Sequence, residues 1–168
     1  MIKTLPAFTL SLLTACTSVH ANKVPDVSES VIKASEYMNF GERTHRSQLK
    51  ELTGIDPART EWCAAFVNSV LEESGLPSNK NHKYPLVARS FLDWGFIILP
   101  DEIESGDIVI FPRGNQGWQG HVGFYVKTVY VGKEKHYAIL GGNQNDKVSI
   151  ELYPARKALG IRRDHPTF

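Results

Sequence analysis

The spacing of hydrophobic residues changes near the middle of the chain, and this change limits the folds that the chain can adopt. In the first half, apolar residues recur every three or four positions, which is the pattern of short amphipathic helices. The longest of these helices is expected between Thr60, as its cap, and Gly75, as its stop. In the second half, β-branched and aromatic runs alternate with polar turns, which predicts strands over residues 107–111, 121–131, 136–140, 148–153 and 160–163.

The connections between the predicted strands decide how the strands pair. Parallel neighbours need a crossover of about a dozen residues or more, usually a helix, and none of these connections carries a helical pattern. The strands are therefore expected to be antiparallel. Together with the preceding helices, they predict an α+β fold in which N-terminal helices pack on an antiparallel sheet of about five strands.

Composition excludes several classes of protein. The 168 residues are 42% hydrophobic and 22% charged, which is typical of one globular domain and not of a disordered or fibrous chain. Lys and Arg number 19 against 18 Asp and Glu, so the net charge offers no general attraction to nucleic acid. We therefore expect no nucleic-acid partner, and a single domain over residues 27–168.

The first 21 residues have the composition of an export signal. A single early lysine, Lys3, precedes an uncharged apolar stretch over residues 5–15 that is too short to be a permanent membrane span. The sequence Leu-Thr-Ala-Cys at residues 13–16 resembles a bacterial lipobox, in which cleavage before the cysteine leaves a thiol that accepts a lipid. This interpretation predicts a signal peptide over 1–15, a lipid on Cys16 and a tether over 16–26.

Ordinary signal cleavage is the alternative, because Val-His-Ala at residues 19–21 is also a suitable site and would make the signal 1–21. The lipobox is preferred because cysteine is otherwise unusual at the end of a signal. It predicts an exported lipoprotein on the periplasmic face of a bacterial membrane, held by Cys16. Ordinary cleavage predicts a soluble periplasmic or secreted protein.

Cys63 is the one cysteine left free after either cleavage. Exported compartments are oxidising, so an unpaired thiol there is either buried as a small apolar residue or used chemically. Its place in the first turn of the predicted helix favours the second interpretation, because unpaired amides and the helix dipole stabilise a thiolate. Cys63 is therefore the predicted nucleophile.

A cysteine nucleophile needs a base, and His121 is the best placed of the six histidines. It follows a glycine-rich loop and begins an apolar strand, which positions an imidazole at the mouth of a cleft. A third residue should orient the imidazole, and the Gly-Gly-Asn-Gln-Asn sequence at 141–145 offers amides for this role. Asn143 is the first choice and Gln144 the reserve.

The sequence suggests no metal or organic cofactor. It contains no CxxC or HxxxH pair of the kind that binds zinc, and no glycine-rich phosphate loop between a strand and a helix. The loop before His121 carries Trp118, which either packs over the sheet edge or forms a wall of the cleft. We expect the cleft wall.

Three ordered blocks carry a resemblance to a known family. They are Trp-Cys-Ala-Ala-Phe-Val at 62–67, Gly-Asp-Ile-Val-Ile-Phe at 106–111 and Gly-His-Val-Gly-Phe-Tyr at 120–125. Together they resemble the CHAP and NlpC/P60 peptidoglycan hydrolases, which are papain-like cysteine hydrolases with the order Cys, His and a polar residue.

The resemblance implies a papain-like fold and a hydrolase of cell-wall peptide, with peptidoglycan as the partner and no cofactor. It implies Cys63–His121–Asn143 catalysis, with Trp62, Trp118 and Gln144 as substrate contacts. Two alternatives stay open. One is an N-acetylmuramoyl-L-alanine amidase of the same fold, and the other is a non-catalytic wall-binding lipoprotein.

Overall fold

Short helices come first in the computed structural model, which describes residues 27–165. The helical elements are α1 (Glu29–Ser35), α2 (Arg46–Thr53), α3 (Cys63–Glu73) and a 3₁₀ helix (Ala88–Asp93). The predictions for the signal, the lipobox cysteine Cys16 and the tether over 16–26 lie outside the described residues. Within them, no helix is long and apolar enough to cross a membrane.

The start of α3 differs from the prediction. The helix begins at Cys63 itself, and the residue before it, Trp62, provides no side-chain cap. Thr60, the predicted cap, lies outside the helix. The Trp62 side chain is fully buried, so its packing holds the chain at the point where the helix begins. Cys63 is thus the first residue of the helix, where the backbone amides have no intrahelical partner.

The sheet has six strands, all antiparallel, which confirms the predicted α+β class. Its strands are β1 (Phe96–Ile97), β2 (Ile108–Pro112), β3 (Gly120–Val131), β4 (Glu134–Gln144), β5 (Lys147–Pro154) and β6 (Gly160–Arg163), with a 3₁₀ turn (Ala155–Lys157) before β6. Their order across the sheet is β1-β6-β2-β3-β4-β5. The strand beyond the expected five is β1, whose two residues are too few to show an alternating pattern.

Both faces of the sheet are covered by apolar packing. Ile108 and Ile110 of β2 belong to the core that includes the helices, whereas Val109 and Phe111 belong to a second core on the other face. This alternation is the period of two that a strand imposes on its side chains. Because α3 packs on β3 and β4, its first residue lies near the ends of these strands.

A bulge interrupts the pairing of β4 with β5. The register runs regularly to Gly141 opposite Ser149 and resumes at Gln144 opposite Lys147. Between them lie Gly142 and Asn143, and Asn143 has a left-handed backbone with φ 57°. An asparagine tolerates this conformation better than most residues. The bulge turns the end of β4 and redirects the side chain of Gln144.

Gly142 permits the bulge to lie directly against the start of α3. A Cβ added there would lie 2.5 Å from a ring carbon of Trp62 and 2.8 Å from the Cβ of Phe66. Both of these side chains are fully buried and cannot give way freely. Position 142 therefore allows no side chain.

We expect Gly142→Ala to lower the free energy of unfolding by about 1–3 kcal/mol, because it overpacks a filled core. Gly117→Ala is the matched control, since a Cβ at Gly117 meets nothing within 4 Å. Urea unfolding followed by tryptophan fluorescence measures both variants. Equal stability of the two would show that Gly142 has more room than the structure gives it.

Candidate active site

Cys63 lies against the first residues of β3. The backbone N–H groups of Val122 and Ala64 lie close enough to its sulfur to favour the thiolate and so act to lower the pKa of Cys63. Since Val122 directly follows His121, the fold brings the predicted nucleophile and the predicted base to the same place. Cys63 is only 3% exposed, so the thiol is enclosed in the resting protein.

Burial raises the pKa of the Cys63 thiol above its ordinary value, because an apolar surrounding disfavours the thiolate. The positive charge of Arg113 and the two backbone amides act in the opposite direction, while the charge of Glu61 adds to the rise. The expectation that the helix start would lower this pKa is therefore wrong for the resting protein. The unpaired amides are present, but desolvation outweighs them.

His121 is also buried, and its ring is held on two sides. Its Nε2 lies 3.0 Å from Oε1 of Gln144. Its face stacks on the ring of Tyr153, with 5.3 Å between centroids and 19° between planes. A hydrogen bond and a stacked ring together fix both the position and the rotation of the imidazole.

The hydrogen bonds of Gln144 determine which nitrogen of His121 carries the proton. The Gln144 amide nitrogen donates to the carbonyl oxygens of Ser149, at 2.6 Å, and Ile139, at 3.3 Å. Carbonyl oxygens only accept, so the amide orientation is fixed and Oε1 must act as an acceptor toward His121. His121 Nε2 therefore carries the hydrogen, and Nδ1 presents a lone pair.

That Nδ1 is buried and has no hydrogen-bond partner among the described residues. A buried nitrogen without a partner is costly, and in a native protein it points to a chemical role. Here it is a neutral proton acceptor in the same enclosed site as a thiol.

Burial lowers the pKa of His121 to about 3, the positive charge of Arg113 adds to this, and the hydrogen bond that the ring donates to Gln144 opposes it. The imidazole is therefore neutral in the folded protein over the whole range in which enzymes usually work. Burial thus favours the uncharged form of both the Cys63 thiol and the His121 imidazole.

This pKa makes the stability of the protein depend on pH. The unfolded chain takes up a proton on this histidine below about pH 6.5, whereas the folded chain does not until about pH 3. Stability is therefore lost as the pH falls through this window, by about 1.4 kcal/mol per pH unit. Between pH 6.5 and 4.5 we expect the wild type to lose about 2–3 kcal/mol more than His121→Gln. Urea titrations at both pH values measure the difference, and parallel losses in the two proteins would contradict it.

Asn143, the first choice for holding the imidazole, does not contact His121. Its side-chain nitrogen donates to Glu61 Oε2 at 2.5 Å. Its carbonyl oxygen accepts from Arg113 Nη2 at 2.9 Å. Gln144, the reserve choice, makes the hydrogen bond to the imidazole instead.

The bulge explains this shift by one residue. Phe124 of β3 pairs with Leu140 of β4, and a regular continuation of that register would put Asn143 directly opposite His121. The extra residue of the bulge moves the chain forward, so that Gln144 takes the place facing the ring. A pattern of residue types cannot reveal such an insertion.

The predicted substrate contacts divide into three cases. Trp62 is fully buried in the core, so its assignment as a substrate contact is corrected to a packing role. Gln144 is buried as well, and its amide is used by His121 and backbone carbonyls rather than by a ligand. Trp118 is 64% exposed on the loop before β3, and its contact with substrate stays a prediction.

Two site residues were not recognised in the sequence. Tyr153 donates its hydroxyl to Gln144 Oε1 at 3.1 Å, and burial raises the pKa of Tyr153 to about 12, which keeps that donor protonated. Arg113 directly follows β2 and places its charge near Cys63 and His121. A basic residue at the end of a strand is a weak signal alone, but the antiparallel register could have placed it beside the start of β3.

Within residues 27–165, no group of three or more His, Cys, Asp or Glu side chains is arranged to hold a metal ion. The fold and the site thus define an α+β protein in which a buried cysteine lies near a neutral histidine, and the histidine is hydrogen-bonded to a glutamine.

Comparison with known proteins finds a structural resemblance but no sequence match. No family model matches the chain, and no curated protein matches it. Among solved structures, the chain is similar to an NlpC/P60 family protein from Bacillus cereus, with 13% identity and a TM-score of 0.46. The match covers 84% of this chain and 41% of the other, so the chain spans about two fifths of that protein's length.

Proposed function

We propose that the protein is a cysteine hydrolase that cleaves amide bonds, with Cys63 as nucleophile and His121 as base. The observation that carries the proposal is the fixed tautomer of His121. Gln144 holds the hydrogen on Nε2 and leaves Nδ1 as a buried lone pair without a partner. A lone pair held in this way, on the residue next to the Val122 backbone that Cys63 approaches, is suited to remove the thiol proton.

The reaction follows from this arrangement. His121 Nδ1 takes the proton of Cys63 as the sulfur attacks the amide carbonyl, and a tetrahedral oxyanion forms. The backbone N–H of Cys63, at the start of α3, is a donor for that oxyanion. The imidazolium then protonates the leaving amine, a thioester remains, and water activated by His121 hydrolyses it.

Peptidoglycan is the proposed substrate class, on the basis of the three sequence blocks that resemble CHAP and NlpC/P60 hydrolases. The predicted export signal is consistent with it, because an exported enzyme reaches the cell wall. We place the protein on the periplasmic face of a bacterial membrane, anchored through a lipid on Cys16. The bond cleaved lies within the stem peptide, or between glycan and peptide in the amidase alternative.

Purified murein tests the function directly. Incubation with the protein should release soluble fragments whose masses each show the addition of one water. Fragments of stem peptide alone identify an endopeptidase, whereas release of whole stem peptides from intact glycan identifies an amidase. If no fragment exceeds a heat-inactivated control, with defined muropeptides as well as with murein, the proposed activity is wrong.

A further inference from the structure

A carboxylate is held at the edge of the candidate active site, and it belongs to the protein itself. Glu61 Oε2 accepts a hydrogen bond from Asn143 Nδ2 at 2.5 Å and lies 3.5 Å from Arg113 Nη1. The three residues come from three separate segments, before α3, after β2 and at the β4 bulge. The fold therefore assembles an amide and a guanidinium around one carboxylate group.

The two sides of this contact differ in how firmly they are held. Asn143 is buried, and Arg113 is anchored by donating to the Asn143 carbonyl at 2.9 Å. The Glu61 side chain is 78% exposed, and both of its hydrogen bonds reach a single oxygen. An ion pair so open to water contributes little to stability. The Glu61 carboxylate can therefore leave while its binding partners remain in place.

The carboxylate position is next to the reacting groups. Glu61 is two residues before Cys63, and Asn143 directly precedes Gln144, which holds His121. The charge of Arg113 acts on both Cys63 and His121. A substrate group bound by Arg113 and Asn143 would lie close to the bond that the thiol attacks.

We propose that Arg113 and Asn143 form a subsite for a carboxylate of the substrate, which Glu61 occupies in the resting protein. The inference rests on the proposed function and narrows its substrate to acidic peptides with a free carboxylate close to the cleaved amide. A guanidinium binds a carboxylate with two parallel hydrogen bonds, which gives both affinity and orientation. Glu61 acts as an internal competitor that the substrate displaces.

Alkylation of Cys63 by two reagents of nearly equal size tests this subsite without requiring hydrolysis. Iodoacetate carries a carboxylate and iodoacetamide carries its neutral amide. The quantity measured is the rate constant for iodoacetate divided by the rate constant for iodoacetamide, obtained by mass spectrometry of the Cys63 peptide. Because both reagents attack the same thiolate, this ratio does not depend on how far the thiol is ionised. We expect this ratio to be about tenfold higher in the folded protein than in the protein unfolded in urea, as one charge-assisted contact implies.

Variants assign the effect to the subsite. Arg113→Gln and Asn143→Gly should bring the ratio down toward the unfolded value, and glycine accepts the positive φ of position 143. Glu61→Gln should raise the ratio, because it removes the competing charge. Arg156→Gln is the matched control, since Arg156 pairs with Glu134 at the opposite end of β4, and it should leave the ratio unchanged.

The results separate the two proposals. A ratio that is equal in folded and unfolded protein, or that Glu61→Gln fails to raise, overturns the subsite even if Arg113→Gln does not fold. A charge-dependent ratio in a protein that releases nothing from murein supports the subsite and overturns the proposed hydrolase. Hydrolysis of murein by a protein whose ratio does not depend on charge supports the proposed hydrolase and overturns the subsite.

Discussion

Cys63→Ala is expected to reduce the release of fragments from murein by more than about 10³-fold, because it removes the atom that forms the thioester. Cys63→Ser should be nearly as inactive, because a serine hydroxyl is less acidic than a thiol and gives up its proton to a neutral imidazole much less readily. The measurement is the initial rate of soluble fragment release at equal concentrations of folded protein.

Cys16→Ala is the control for this experiment, because it makes the same substitution at the other cysteine of the chain. In detergent solution it should keep the wild-type rate, since residue 16 belongs to the predicted tether. Full activity of Cys63→Ala would exclude catalysis by the Cys63 thiol. Loss of activity in both variants would mean that the loss in Cys63→Ala is not specific to the thiol of residue 63.

Gln144→Leu is expected to lower kcat by about 10²–10⁴-fold, with a much smaller effect on KM. Leucine fills similar space but cannot accept from His121 Nε2, so the hydrogen is no longer confined to that nitrogen. The variant also leaves the Ser149 carbonyl without its donor, which should lower stability by about 1–3 kcal/mol. Activity is therefore compared at a temperature at which circular dichroism shows both proteins to be folded.

Asn143→Gly distinguishes the two adjacent amides. It should keep kcat and raise KM for substrates that carry the carboxylate, because Asn143 contacts Glu61 and not the imidazole. The ¹⁵N shifts of His121 provide a second measurement, since Nε2 should carry the hydrogen in Asn143→Gly but not exclusively in Gln144→Leu. If kcat fell in Asn143→Gly but not in Gln144→Leu, Asn143 rather than Gln144 would be the residue that orients the imidazole.

Local signals predicted much of the fold. Helix α3 ends at Glu73, close to the predicted stop at Gly75, and strand β6 has the predicted bounds, because local residue types determine both. The start of α3 was misplaced because burial of Trp62, a property of the whole core, overrides the hydroxyl at Thr60.

The candidate site was predictable only in part. Cys63 and His121 could be chosen from residue type and position, and in the structure Cys63 lies beside the backbone of Val122, the residue that follows His121. The choice between Asn143 and Gln144 depended on one bulge residue, which changes the direction of a side chain without changing the pattern. The pKa of Cys63 depended on enclosure, which the helix position does not reveal.

The enclosure of Cys63 also bears on how long the protein survives. Peroxide attacks the thiolate form of exposed cysteines, and further oxidation to sulfinic and sulfonic acids is irreversible. The thiol of Cys63 is 3% exposed and has a raised pKa, so it presents neither an accessible surface nor a standing negative charge. We therefore expect the thiol of Cys63 in the folded protein to resist oxidation by peroxide for longer than an exposed thiol would.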